Sequence, residues 1–140
     1  MDSNLRRSII IDNYNNPNNR ERHDNDDYIK TNSRNISCID NIDVYVKIEN
    51  NTIKDITYEG EACAISISSS SIISNLLKDK TLDQAKEIIN NYYNMIEEKE
   101  YNKELLEEAN VFDEIYKQPS RKMCATLIVR GIEDIINKMK

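Results

Sequence analysis

The sequence predicts an α+β fold: a small antiparallel β-sheet of about three strands with helices packed on one face. Three observations predict it. Ile42, Val44, Val46 and Ile48 alternate with Asp43, Tyr45, Lys47 and Glu49, the period of a half-buried strand. Beyond Gly60 the apolar residues recur at helical spacing instead. Strands are followed by helices without repeated strand–helix alternation, an order that favours helices gathered against an antiparallel sheet.

Each element follows from local chemistry. Leu5, Ile9 and Ile10 mark a short N-terminal helix, with Ser3 or Asp2 as its cap. It stops by Asn16, because Pro17 disfavours helical geometry in the residue before it. Asp12 to Asp27 is Asn-rich, charged and aperiodic, and reads as loop; its His23 reads as a solvated side chain. Tyr28 to Thr31 form a short first strand. Asn50-Asn51 makes a tight turn after the alternating strand, since Asn tolerates positive φ. Ile53, Ile56 and Tyr58 carry the returning strand.

Ile65, Ser69, Ile72, Ile73, Leu76 and Leu77 then share one helical face. The run from Ser68 to Ser71 also suits a flexible linker, but the flanking Ile and Leu favour a helix with a small-residue face. Thr81 and Gln84 form a capping-box pattern opening a helix with Leu82, Ala85, Ile88, Ile89, Tyr92 and Ile96 on its face. Glu97 to Glu108 reads as a solvated stretch with a short helix through Leu105 and Leu106. Val111, Phe112, Ile115 and Tyr116 read as a docking turn. Pro119 ends that segment, and Ser120 caps a final helix whose buried stripe is Cys124, Leu127, Ile128, Ile132, Ile135 and Met139.

Composition narrows the function. The chain of 140 residues suits one domain, residues 1–140, with one modest core and no internal repeat. With 39% apolar and 31% charged residues it reads as a soluble globular chain at its polar end. Nineteen basic against 25 acidic residues give a net charge of −6. That balance argues against a nucleic-acid or anionic-membrane partner, because counterion release needs clustered Lys and Arg. Apolar runs such as Ile9 to Ile11 are far short of the roughly 20 residues that span a bilayer. No signal-peptide core follows Met1 to Arg7, so a cytoplasmic location is expected.

The three cysteines carry the chemistry. Cys38 precedes the hairpin and Cys63 follows it, so the returning chain brings them close. Cys63 and Cys124 fall at expected helix N-termini, where the macrodipole favours thiolate. An odd, widely spread set does not suit a secreted disulfide framework. Three thiolates and the carboxylate of Asp40 make a complete tetrahedral ligand set for zinc. Small core hydrophobes are an equal alternative on spacing alone, because no close C-x-x-C pair anchors a metal.

Ser37-Cys38-Ile39-Asp40, Gly60-Glu61-Ala62-Cys63-Ala64-Ile65-Ser66 and Pro119-Ser120-Arg121-Lys122-Met123-Cys124-Ala125-Thr126-Leu127 resemble the three cysteine motifs of the SufU proteins. These belong to the IscU/NifU N-terminal superfamily of iron–sulfur cluster assembly proteins. Ile11-Asp12-Asn13-Tyr14-Asn15-Asn16-Pro17-Asn18-Asn19 is similar to that family's Asp-His-Tyr-x-x-Pro-x-Asn segment. The resemblance runs in order from about Leu5 to the last helix. The long stretch from Ala64 to Met123 and the arginine at Arg121 resemble the SufU branch. Met123 stands where IscU-type scaffolds usually carry histidine.

The resemblance implies a zinc site of Cys38, Asp40, Cys63 and Cys124 and a zinc-dependent sulfurtransferase activity. It implies that Cys38 accepts persulfide sulfur from a PLP-dependent, SufS-type cysteine desulfurase, and that the sulfur passes on to a downstream iron–sulfur scaffold. A desulfurase histidine taking over a zinc position would free Cys38. Arg121 is then a catalytic candidate that orients Asp40 or the partner, with a surface salt bridge as the alternative. A scaffold building a [2Fe–2S] iron–sulfur cluster on the same four residues is the rival reading. An interaction module with a purely structural zinc is a third. This chain departs from the family at Ile39 and Ala62, both glycine there, and at Asn13, a histidine there. Glycine gives backbone freedom, so Ile39 bears on how freely the Cys38 loop swings.

Overall fold

The computed structural model of the chain describes residues 1–36 and 39–139, so Ser37, Cys38 and Lys140 lie outside the described residues. Alternating β-branched residues build β2 (Asn41–Glu49) and β3 (Thr52–Glu61). Asn50 and Asn51 join them with φ of 52° and 58°, the double positive φ that matches strand twist in a two-residue hairpin turn. β1 (Ile29–Arg34) pairs antiparallel with the other edge of β2, giving the order β1-β2-β3. It starts one residue later than the expected Tyr28–Thr31 and runs on to Arg34, registered against Asn41.

Ile42, Val44, Val46, Ile56 and Tyr58 are buried in the main core with the helices. Tyr45 alternates to the opposite face yet is also fully buried. There His23 stacks on Tyr28 at 3.9 Å and meets the Tyr45 ring edge-on. His23 is therefore not the solvated loop side chain the sequence suggested, because its apolar ring faces fill the far side of the sheet.

α1 (Ser3–Asn15) is capped by Asp2, whose Oδ1 accepts a hydrogen bond from the Leu5 N–H at 2.8 Å. It continues through Asp12 to Asn15, which aperiodicity had placed in a loop. A tertiary contact overrides the low propensity of Asn there. Buried Asn13 donates to Ile9 O and Glu108 Oε1 and accepts from Ser71 Oγ.

α2 (Ala64–Leu77) contains the serine run, so the linker alternative is excluded. All four serines are buried, and every hydroxyl is bonded. Ser68 donates to Ala64 O, Ser69 to Ala125 O, Ser70 to Ser66 O and Ser71 to Asn13 Oδ1. Buried hydroxyls are tolerable on these terms. α3 (Leu82–Ile96) opens on a reciprocal capping box between Thr81 and Gln84. α4 (Lys103–Leu106) and two 3-10 turns, Glu107–Phe112 and Ile115–Lys117, bring Val111, Phe112 and Ile115 into the core.

The last segment differs from expectation in a way that bears on the site. One helix from Ser120 was expected, but the chain forms α5 (Pro119–Ala125) and α6 (Leu127–Lys138) with a break at Thr126. Pro119 opens α5, where its missing N–H is harmless, and Ser120 lies inside the helix rather than at its cap. Cys124 thus stands in the last turn of α5, not the first turn of a final helix. Met139 is exposed beyond α6 instead of closing the buried stripe. Gly131 lets α6 approach β2 closely, since a Cβ there would lie 2.8 Å from Val44 Cγ2. Among the described residues no helix is long and apolar enough to cross a membrane.

Candidate metal centre

Three elements deliver three donors to one point. Asp40 stands immediately before β2, Cys63 caps α2 just after β3, and Cys124 closes α5. Because β2 and β3 are paired from Asn41 with Glu61 onward, the hairpin itself brings Asp40 beside Cys63. The donor atoms of Asp40, Cys63 and Cys124 all lie within 4.8 Å of one another. Cys63 Sγ is 3.7 Å from Asp40 Oδ2. A tetrahedral zinc with ordinary bond lengths sets its sulfurs about 3.8 Å apart and a sulfur and an oxygen about 3.5 Å apart. The spacing and the soft, anionic donor set therefore fit such an ion.

Asp40 is 1% exposed, and its carboxylate is held on both oxygens. The Cys63 N–H donates to Oδ1 at 2.7 Å and the Ser66 hydroxyl to Oδ2 at 2.6 Å. Burial works against the charged form, but the bonds from Ser66, the Cys63 N–H and the two thiols prevail and hold the carboxyl below its usual range. Cys124 is 2% exposed. Burial, and then Cys63 and Asp40 beside it, push its thiol above the ordinary range. Its place at a helix C-terminus also reverses the N-terminal dipole expected from sequence. A bound cation relieves both disadvantages at once, because metal binding drives a thiol to release its proton.

A tier of polar groups fixes these donors. Asn35 Nδ2 donates to Cys124 Sγ at 3.8 Å, and the Asn35 N–H donates to Asp40 O at 3.0 Å. Ser66, Ser69 and Tyr92 bind the carbonyls freed by the break at Thr126. Ser66 Oγ is 3.1 Å from Cys124 O, and Ser69 Oγ and Tyr92 OH each donate to Ala125 O at 2.7 Å. The half-buried Arg130 guanidinium donates to Met123 O at 2.8 Å.

Of the residues singled out in the sequence, Asp40, Cys63 and Cys124 converge, and Cys38 lies outside the described residues. Arg121 is exposed, and its guanidinium makes no hydrogen bond or ion pair with any described residue. Sequence reasoning did not single out Ser66, Asn35 or Arg130. Ser66 had a signal available, being one helical turn from Cys63; Asn35 and Arg130 had none. Ile36 and Ile39, in the loop before β2, are 97% and 70% exposed.

The family model described as NifU-like N terminal domain matches residues 5–125. Over 135 residues the chain is 30% identical to the zinc-dependent sulfurtransferase SufU of Bacillus subtilis (strain 168), covering 96% of this chain and 90% of that protein. It is 26% identical over 106 residues to the iron–sulfur cluster assembly scaffold protein IscU of Thermotoga maritima, covering 76% and 75%. A solved structure described as a putative iron–sulfur cluster assembly scaffold protein for the SUF system, from Fervidobacterium islandicum AW-1, superposes with a TM-score of 0.84. Its identity is 26%, over 89% of this chain and 91% of that one. The N-terminal NifU-like protein of Brucella abortus shares the fold, with a TM-score of 0.83 at 19% identity over 92% and 90% of the two chains.

Proposed function

The chain belongs to the NifU-like N-terminal domain family of iron–sulfur cluster assembly proteins, and from that premise we propose that it is a zinc-dependent sulfurtransferase of the SufU type. The observation that carries this reading is the buried cluster of Asp40, Cys63 and Cys124, whose spacing suits a tetrahedral ion. Cys38 supplies the fourth donor. Bound zinc keeps the thiols deprotonated at neutral pH, the state in which sulfur is nucleophilic.

Cys38 is the sulfur acceptor. Its thiolate attacks the outer sulfur of a persulfide on a PLP-dependent cysteine desulfurase; one S–S bond forms on Cys38 and the desulfurase cysteine leaves as thiolate. The Cys38 persulfide is then passed to a downstream iron–sulfur scaffold in the cytoplasm. A partner histidine taking over one zinc position would free Cys38 to attack, leaving Asp40, Cys63 and Cys124 to hold the ion. Arg121, exposed and unpaired among the described residues, is better placed to meet the desulfurase than to orient Asp40. Met123, where scaffolds usually carry histidine, supports the sulfurtransferase over the scaffold.

Metal analysis of freshly purified, untagged protein tests the site, with about one zinc per chain and little iron expected. Iron with acid-labile sulfide and little zinc would put the scaffold in its place. Cys38→Ala is expected to stay folded and to lose desulfurase stimulation; retained stimulation would remove Cys38 as acceptor.

A further inference from the structure

We propose that Arg130 is a positioning residue that clamps Cys124 into its metal-binding geometry, an inference that rests on reading the cluster as a metal centre. Arg130 stands in the first turn of α6, and its side chain reaches back across the break at Thr126. Nη2 donates to Met123 O at 2.8 Å, Nη1 to Arg34 O at 3.4 Å and Nε to Thr126 Oγ1 at 3.4 Å. Met123 is the residue before Cys124, and Arg34 is the residue before Asn35. Asn35 in turn donates to the Cys124 sulfur. One guanidinium therefore ties the backbone beside the thiol to the backbone beside the thiol's own hydrogen-bond donor.

The chemistry calls for arginine in particular. α5 ends in carbonyls that have no partner inside the helix, and its last turn carries the negative end of a dipole. A planar fork with several donors spans acceptors on α5, α6 and the end of β1 together, which a single ammonium nitrogen does not. Burial works against the Arg130 cation and shifts its guanidinium downward, while Tyr93, Cys124 and Asp40 beside it act in the opposite sense. Outer groups that orient a ligand commonly change metal affinity when removed.

The test compares Arg130→Met and Arg130→Lys with Arg6→Met, which breaks the 2.8 Å ion pair to Asp113 outside the site. Zinc affinity is read by competition with a chromophoric chelator. Both Arg130 variants are expected to bind zinc about 10- to 100-fold more weakly, whereas Arg6→Met binds it as the parent does, whatever its thermal midpoint. Unchanged affinity in Arg130→Met, full affinity in Arg130→Lys, or equal weakening in Arg6→Met would each overturn the clamp. If the parent protein holds no zinc, the metal reading fails, and the clamp is judged on the metal-free chain. Cys124 alkylation, resolved from Cys63 by peptide mapping, is then expected to be several-fold faster in Arg130→Met than in the parent. Equal rates would end the proposal.

Discussion

Ser66 donates its hydroxyl to Asp40 Oδ2 across 2.6 Å, and both side chains are shielded from water. Ser66 lies three residues after Cys63, so the first turn of α2 presents both a sulfur and the donor that holds the neighbouring carboxylate. Ser66→Ala leaves a buried carboxylate oxygen without that partner. Loss of such a bond costs about 1–3 kcal/mol, to be read from urea unfolding of the metal-free protein. Zinc affinity is expected to fall about 10- to 100-fold. Undiminished affinity would show that Asp40 does not depend on Ser66 for its place.

Gly60 joins the sheet to the site. It pairs with Ile42 at the end of β3, three residues before Cys63, with φ of 145°. A Cβ there would lie 2.3 Å from Asn41 O and 2.9 Å from Ile42 Cα, both rigid backbone atoms. Gly60→Ala therefore combines an unfavourable φ with a clash that no rotamer relieves, and a loss of about 2 kcal/mol or more is expected. Because Asn41 follows Asp40, zinc affinity should fall as well. A thermal midpoint within a degree or so of the parent's would refute the close approach.

Local chemistry made most of the fold legible. The alternation in β2, the Asn50-Asn51 turn and the Thr81–Gln84 capping box each act over a few residues, and all three appear as expected. What the sequence concealed depends on distant partners. The break at Thr126 interrupts a stripe through Leu127, Ile128, Ile132 and Ile135 that gives no local sign of it. Ser66, Ser69 and Tyr92, from two other helices, capture the carbonyls of Cys124 and Ala125 and end α5 there. The same holds for Asn13 in α1 and for His23 against Tyr45. At the site, motif order brought Asp40, Cys63 and Cys124 forward, whereas Arg130 resembled any basic residue on the polar side of an amphipathic helix.

Apolar exposure beside the site points to a docking surface. Ile36 is 97% exposed, Ile39 is 70% exposed and Met123, next to Cys124, is 45% exposed. Large apolar side chains left in water on the residues flanking a site offer a partner surface to bury. Ile36→Asp is expected to raise the concentration giving half-maximal desulfurase stimulation about tenfold, which is ~1.4 kcal/mol of binding. Zinc content and maximal stimulation should not change. An unshifted half-maximal concentration would place the contact elsewhere.

Tyr28 and Asp55 give the fold a pH dependence separate from the site. The Tyr28 hydroxyl donates to Asp55 Oδ2 at 2.6 Å, and Lys78 Nζ lies 3.4 Å from Oδ1. Burial first, and then the bond to Asp55, raise the Tyr28 hydroxyl from 10.0 to about 12. Burial works against the Asp55 carboxylate, but the Tyr28 bond and the Lys78 charge outweigh it and hold the group below 3.8. The raised tyrosine stabilises the fold fully below its unfolded value and loses that contribution as pH climbs from about 10 to 12. The lowered carboxylate contributes above its unfolded value and loses that contribution as pH falls through its folded one. The stability difference between parent and Tyr28→Phe, followed by thermal unfolding, should therefore be widest between about pH 5 and 9 and shrink towards both extremes. A difference that stays constant as pH falls below about 4 and climbs from about 10 to 12 would mean that the Tyr28–Asp55 bond does not carry the linkage.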